Sequence, residues 1–226
     1  MSTTTELLFL GLPETGKTTY FVALDEVLQR QADKHGLVSG GFSANRSYIE
    51  KAKKAWRAGK AVERTSLMTT DEQVELLVRH SKSNTTARLT APDVNGEFFD
   101  DQWTDRKWAI SYRIRLASVA GVFVFINAAV SGRNPEMNEA WKNLPQGETP
   151  AKPNPWTARA AAKQVKLVEL LQFISERGQT RQPLPLAVMI SAWDVIESEK
   201  SPKVRPEKFL EDEWSLLHQY LQANPE

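Results

Sequence analysis

Eight residues near the start of the chain, Gly11-Leu12-Pro13-Glu14-Thr15-Gly16-Lys17-Thr18, restrict its fold more than any other segment. They spell G-x-x-x-x-G-K-[ST], whose four fixed positions recur by chance in about one chain in a hundred of this length. Residues 7–10 are wholly apolar and end at Gly11, which reads as a strand buried on both faces. Over residues 17–34 an apolar stripe of Phe21, Leu24, Val27 and Leu28 recurs at helical spacing. A strand, a glycine loop and a helix in that order present backbone N–H groups and the positive end of the helix to an anion. Glycine lets the backbone approach phosphate, Lys17 reaches the outer phosphates, and the Thr18 hydroxyl is placed to ligate magnesium. We therefore assign Gly11, Glu14, Thr15, Gly16, Lys17, Thr18 and Thr19 to nucleotide binding, with Lys17 also catalytic and Thr18 a metal ligand. The plainer reading is a glycine turn with an exposed lysine.

The rest of the chain alternates apolar runs with amphipathic stretches. Gly36, Gly40 and Gly41 break the first helical pattern, and a second helix is expected over 47–58. Ser47 and Glu50 have capping-box spacing there, and Ile49, Ala52 and Trp56 form a weak apolar face. The Lys51, Lys53, Lys54 and Arg57 cluster on the same helix reads as a solvated face. Residues 63–71 lack periodicity and read as a loop, whereas 74–78 and 87–91 read as strands joined through Ser83-Asn84-Thr85. A helix over 104–117 leads to 122–126, the clearest buried strand. Residues 134–155 carry prolines at 135, 145, 150, 153 and 155 and read as a long surface insertion with little structure of its own. A helix over 157–177 is expected to turn Ala161, Val165, Val168, Leu171 and Ile174 inward, followed by a buried strand at 186–190. Pro206 opens a last helix with Leu210, Trp214, Leu217 and Leu221 on one face. This alternation predicts one α/β domain, a mainly parallel sheet covered on both sides, with one strand turned antiparallel by the hairpin near Asn84.

Composition removes several alternatives. The 226 residues contain no cysteine, so disulfide scaffolds, thiol nucleophiles and Cys-ligated zinc are excluded. Lys plus Arg number 29 against 28 Asp plus Glu, too even a balance for a concentrated basic face, so no DNA partner is expected. The N-terminus lacks the pattern of a signal peptide. The longest unbroken apolar run is 8 residues, 119–126 counting Gly121; a membrane-spanning helix needs about 20. A cytoplasmic protein without a membrane span is expected. His35, His80 and His218 are isolated and read as surface residues.

Two further motifs bear on the chemistry. Asp93-Val94-Asn95-Gly96-Glu97 follows a strand directly: Asp93 suits a magnesium shell, and Gly96 offers a backbone N–H to a terminal phosphate. An ordinary strand-ending turn has the same composition. Ser191-Ala192-Trp193-Asp194 follows the 186–190 strand, at the sheet edge where α/β proteins bind ligands. An Asp there accepts the two N–H donors on one edge of guanine, which adenine lacks, although a helix-capping Asp would look the same.

Together these motifs resemble the signature of the Ras-like (TRAFAC-class) P-loop GTPases over almost the whole chain. Gly11 to Thr18 matches the phosphate loop, Asp93 to Gly96 the D-x-x-G switch, and Asp194 the last residue of the guanine motif. Glu97 stands where Ras-like members usually carry a water-orienting Gln, and Ala192 replaces the lysine that flanks the base. More narrowly, GLPETGKTT, D-x-x-G-E-x-F and S-A-W-D resemble the bacterial double-GTPase or conflict-system domains, which are linked to antiviral defence modules. The resemblance implies a three-layer P-loop NTPase fold, GTP or GDP as ligand and Mg2+ as cofactor. It implies Gly96, Ser191 and Asp194 as further nucleotide contacts, Asp93 as a metal ligand and Glu97 in the catalytic position. It also implies a switch threonine on magnesium; Thr65, Thr69 and Thr70 are candidates, and Thr65 is favoured because it follows Arg64. A protein effector or activator would contact the switch region over 60–105, where Trp103 and Trp108 offer either contact surface or packing. Nothing after Asp194 resembles the family's base-contacting S-A-K-type loop, so the last strand and helix of the fold are expected to be absent, leaving a sheet edge open or covered by further sequence.

An ionised Glu97 can only accept hydrogen bonds. At an effective dielectric of about 20, like charges about 4 Å apart repel by about 4 kcal/mol, so slow intrinsic hydrolysis is expected. Two alternatives stay open at this stage. One is an ATP-using P-loop protein with Asp93 as its Walker B acid; the other is a scaffold that binds nucleotide without turning it over.

Overall fold

Along Thr4–Gly11 (β1) successive side chains point to opposite faces, and the core divides accordingly. Leu8 and Leu10 join one apolar cluster and Phe9 another. Gly121–Asn127 (β5) sorts in the same way, with Val122, Val124 and Ile126 in the first cluster and Phe125 in the second. Strands that are apolar at every position need cover on both faces, and this requires helices above and below the sheet. The computed structural model of the chain describes residues 4–31, 36–42, 46–60, 73–83, 85–92, 103–105, 116, 118–130, 161–175, 184–199 and 204–225.

The other described strands are Leu37–Phe42 (β2), Gln73–His80 (β3), Thr86–Pro92 (β4) and Leu186–Ser191 (β6). They form one sheet in the order β2-β3-β4-β1-β5-β6. β1 pairs in parallel with β4 and β5, and β5 with β6, while β3 is antiparallel to both of its neighbours. One strand therefore runs against the other five, as the hairpin after His80 dictates. Lys17–Arg30 (α1) and Arg46–Arg57 (α2) cover the face that holds Phe9, contributing Phe21, Leu28 and Ile49. The Phe9 ring lies 4.7 Å from that of Phe21 and 4.8 Å from that of Phe123. Truncating such a side chain to alanine costs about 3–5 kcal/mol. Lys163–Ser175 (α3), Trp193–Glu199 (α4), Pro206–Glu213 (α5) and Ser215–Ala223 (α6) cover the opposite face through Leu167, Leu171, Ile196, Phe209, Trp214 and Leu217.

Several expectations need correction. Residues 37–42, read as a glycine break, form edge strand β2. A Cβ on Gly40 would lie 2.8 Å from Leu77 Cβ, and the register shifts at a bulge between Ser39 and Gly41. Two glycines and a bulge disrupt the period-2 pattern by which a strand is recognised. β6 is an edge strand rather than a doubly buried one, with Leu186 36% exposed. The helix expected from 157 begins at Lys163, so Ala161 precedes it. Val165 faces outward, and Leu167 and Leu170 take core positions beside Val168, Leu171 and Ile174. The single C-terminal helix is two, broken at Trp214, where φ is −128° and ψ 44°. The spacing of Leu210, Trp214, Leu217 and Leu221 runs through that break, so the sequence does not reveal it. The lysine cluster on α2 is not uniformly solvated, because Lys53 is buried. The 63–71 loop, the 134–155 insertion, most of the 104–117 helix, His35, Trp108 and the Ser47 side chain lie outside the described residues.

Candidate functional site

The carboxyl ends of β1, β5 and β6 meet at one edge of the sheet, and the loop between β1 and α1 lies across them. Parallel pairing forces this: three strands that run together finish together, and their outgoing segments become neighbours. Asn127 and Ser191 are register partners at the ends of β5 and β6. Leu8 lies beside Thr90, and β4 ends two residues later at Pro92, on the same edge.

The loop itself is held in an unusual backbone path. Gly11 has φ 152°, and a Cβ there would sit 2.7 Å from the Phe125 carbonyl oxygen and 2.8 Å from Thr15 Oγ1, so only glycine fits against β5. Glu14 is left-handed with φ 65°, a conformation that costs a non-glycine residue roughly 1–2 kcal/mol. Gly16, at φ 82°, holds the N-cap position of α1 without a side-chain cap, and the first turn of α1 contains no acidic residue. The N-terminus of α1, with its positive end and no acidic side chain in the first turn, suits an anion.

Three side chains tie this path down. Thr15 Oγ1 donates to Leu12 O at 2.9 Å. Lys17 Nζ reaches across the loop, donating to Gly11 O at 2.8 Å and Leu12 O at 3.0 Å. Asn127 Nδ2 donates to Glu14 O at 3.0 Å, while its Oδ1 accepts the Ala129 N–H at 2.9 Å. Asn127 supports the strained residue from the neighbouring strand, a role the sequence reading missed. The signal was slight: one amide side chain ending a strand otherwise apolar after Gly121.

The third motif meets the first. A Cβ on Gly16 would lie 3.2 Å from both Ser191 Cβ and Oγ, so the segment 191–194 abuts the phosphate loop. Ser191 Oγ donates to Ile126 O at 3.2 Å, and Ser191 O accepts the Ala128 N–H at 2.9 Å, which fixes the end of β6 to β5. Ala192 turns the chain in a left-handed conformation with φ 52°. Trp193 then packs edge-on against Phe209, and Asp194 stands exposed in the first turn of α4. Asp194 is not the capping residue of that helix, since α4 begins at Trp193.

Gly11, Glu14, Thr15, Gly16, Lys17, Thr18, Thr19, Ser191 and Asp194 are thereby brought to one sheet edge. Asp93, Gly96, Glu97, Thr65, Thr69, Thr70 and Arg64 lie outside the described residues. A small hollow beside the loop, walled by Leu12, Phe125, Leu167 and Trp214 with Thr15, Asn127 and Lys163 at its margin, presents chiefly apolar atoms. Among the described residues no group of three His, Cys, Asp or Glu is placed to hold a metal. The half-buried Thr18 hydroxyl, at the second residue of α1, fits magnesium nonetheless. Magnesium is commonly held by one or two protein oxygens together with phosphate and water.

The six-stranded sheet with this loop between β1 and α1 defines the chain as an α/β P-loop NTPase. Its sequence matches the family described as Double-GTPase 1 over residues 8–226, and the chain belongs to that family. It is therefore a GTPase domain with guanine nucleotide as its ligand. No curated protein matches it. Among the described residues no helix is long and apolar enough to cross a membrane.

Proposed function

We propose that this domain is a nucleotide-state switch that binds GTP with magnesium and hydrolyses it slowly. The observation that carries the reading is the close approach of Ser191 to Gly16, which sets the 191–194 segment beside the loop of residues 11–18. Gly11 and the backbone of Glu14 to Thr19 cradle the phosphates. Lys17 shifts from loop carbonyls to the outer phosphates, replacing one set of charge-assisted hydrogen bonds by another. The Thr18 hydroxyl, Asp93 and one of Thr65, Thr69 and Thr70 would hold magnesium, with Thr65 favoured. Bound there, magnesium neutralises charge on the phosphate oxygens. Asp194, exposed in the first turn of α4, accepts the paired N–H donors of guanine.

Gly96 offers a backbone N–H to the γ-phosphate, and Glu97 stands where the attacking water must be oriented. Its negative charge disfavours an approach to phosphate, so hydrolysis awaits an activating partner or an arginine, with Arg64 as the candidate in the same chain. The 60–71 and 93–105 segments report the nucleotide to a protein effector. A cytoplasmic role in a bacterial defence module follows from the kinship with conflict-system GTPases, and the even charge balance argues against DNA as the partner. A single-turnover assay with magnesium tests the rate. Little phosphate is released by the isolated chain, and Glu97→Gln does not lower it further. Fast release that Glu97→Gln abolishes would make Glu97 a working base and refute the slow-switch reading.

A further inference from the structure

Leu12 of the phosphate loop is only 6% exposed, yet it belongs to neither of the two apolar clusters. It lines instead the hollow beside the loop, together with Pro13, Glu14 and Thr15. Leu167 of α3 and Trp214 wall the same hollow from the helical layer, and both are buried, at 0% and 2% exposure. The Leu12 carbonyl is equally committed, accepting from Thr15 Oγ1 at 2.9 Å and from Lys17 Nζ at 3.0 Å.

Trp214 stands at the corner between α5 and α6, and that corner is bonded on both sides. The Trp214 N–H donates to Leu210 O, and its carbonyl accepts the His218 N–H, each at 2.9 Å. The Leu216 N–H donates to Gln164 Oε1 at 3.0 Å, which ties α6 to the first turn of α3. The break that the apolar spacing concealed thus delivers one indole to the hollow, on a corner held by three hydrogen bonds. Among the described residues the indole Nε1 has no hydrogen-bond partner, so the ring acts there through its apolar body.

We infer that Trp214 is a positioning residue for the nucleotide phosphates, keeping Leu12 to Thr15 in the path that the left-handed Glu14 requires. The inference rests on the reading above in which Lys17 leaves the loop carbonyls for the phosphates. That exchange removes two of the bonds that fix the loop, those to Gly11 O and Leu12 O. A strained path persists only when its surroundings over-determine it, so the remaining supports must keep it. Thr15 and Asn127 supply hydrogen bonds, and Leu167 and Trp214 supply the wall that limits where Leu12 can move. Apolar packing suits this task, because phosphate does not compete for it as it competes for Lys17. A smaller side chain at position 214 widens the hollow, and each conformation the loop gains must be given up when phosphate binds. The indole therefore favours nucleotide binding, whereas a residue that only filled the core would favour folding alone.

The test titrates full-length variants with fluorescent GDP in magnesium. Trp214→Leu weakens GDP about fivefold, and Trp214→Phe, which keeps an apolar ring, restores most of the loss. Ile174→Ala is the control, since Ile174 lies in the same apolar cluster but does not line the hollow. It lowers the melting temperature yet changes GDP affinity by less than about twofold. Equal weakening by Trp214→Leu and Ile174→Ala overturns the inference, as does unchanged affinity in Trp214→Leu. If Trp214→Leu loses helical signal in circular dichroism, Leu167→Val takes its place and is judged against Ile174→Val in the same way. Lys17→Ala protein that binds GDP as well as wild type refutes the phosphate-loop reading together with this inference. Loss of binding in Lys17→Ala with unchanged affinity in Trp214→Leu refutes the role of Trp214 alone.

Discussion

Glu14 carries the strain of the phosphate loop, and Asn127 is the side chain that supports it from β5. A left-handed non-glycine residue persists only where its surroundings over-determine it. Asn127→Ala removes two exposed hydrogen bonds, one from the Ala129 N–H and one to the Glu14 carbonyl, the second a loss of about 1 kcal/mol. Because that bond shapes the binding loop, the loss falls on nucleotide affinity, about fivefold, with the melting temperature nearly unchanged. Calorimetric titration beside a thermal melt checks this; a large loss of stability with intact affinity would contradict it. Lys17→Ala abolishes nucleotide binding, yet circular dichroism shows the helix content retained, because its bonds are local to the loop. At this scale Gly11 to Thr18 were legible because phosphate chemistry demands those residue types at that spacing. Asn127 was not, since its partner is 113 residues away in sequence.

Among the elements, the strands β1, β3, β4 and β5 and the helices α1 and α2 follow local patterns and were legible to within a few residues. β2 and the break at Trp214 were not, because a bulge and the burial of one indole override the local periodicity. The lysine-rich face of α2 was misread for a related reason. Lys51 and Lys54 are exposed, but Lys53 and Arg57 face carboxylates that sit more than two turns along another helix. Lys53→Met leaves Asp25 buried without its cation and destabilises the fold by about 3–5 kcal/mol, whereas Asp25→Leu/Lys53→Met is close to neutral. Chemical denaturation of the two variants separates these outcomes, and equal destabilisation by both would contradict the assignment. The pair at Glu26 also imposes a pH dependence. The hydrogen bond from Arg57 holds its carboxyl below the usual range despite the opposing effect of burial. A lowered folded value means stability that is complete above the unfolded value and lost as pH falls through the folded one. The melting-temperature gap between wild type and Glu26→Gln is thus full above about pH 5 and closes on further acidification. A gap that widens in acid would contradict this.

At the scale of the whole molecule, function follows from where the strands end. Parallel pairing brings the β1 loop, Asn127 and the 191–194 segment to one edge, although they are far apart in sequence. The order of motifs made that edge legible, since each follows an apolar strand, but the contact between Gly16 and Ser191 emerges only from the pairing of β5 with β1 and β6. The base preference proposed for Asp194, exposed at the start of α4, is the central claim of the proposed function. Titration calorimetry of nucleotide-free protein with magnesium and non-hydrolysable GTP or ATP analogues tests it most directly. The GTP analogue binds at least about tenfold more tightly, and Asp194→Ala removes that preference by weakening GTP, as expected when a charged acceptor of two donors is lost. Equal affinity for the two analogues in the wild-type protein would contradict it.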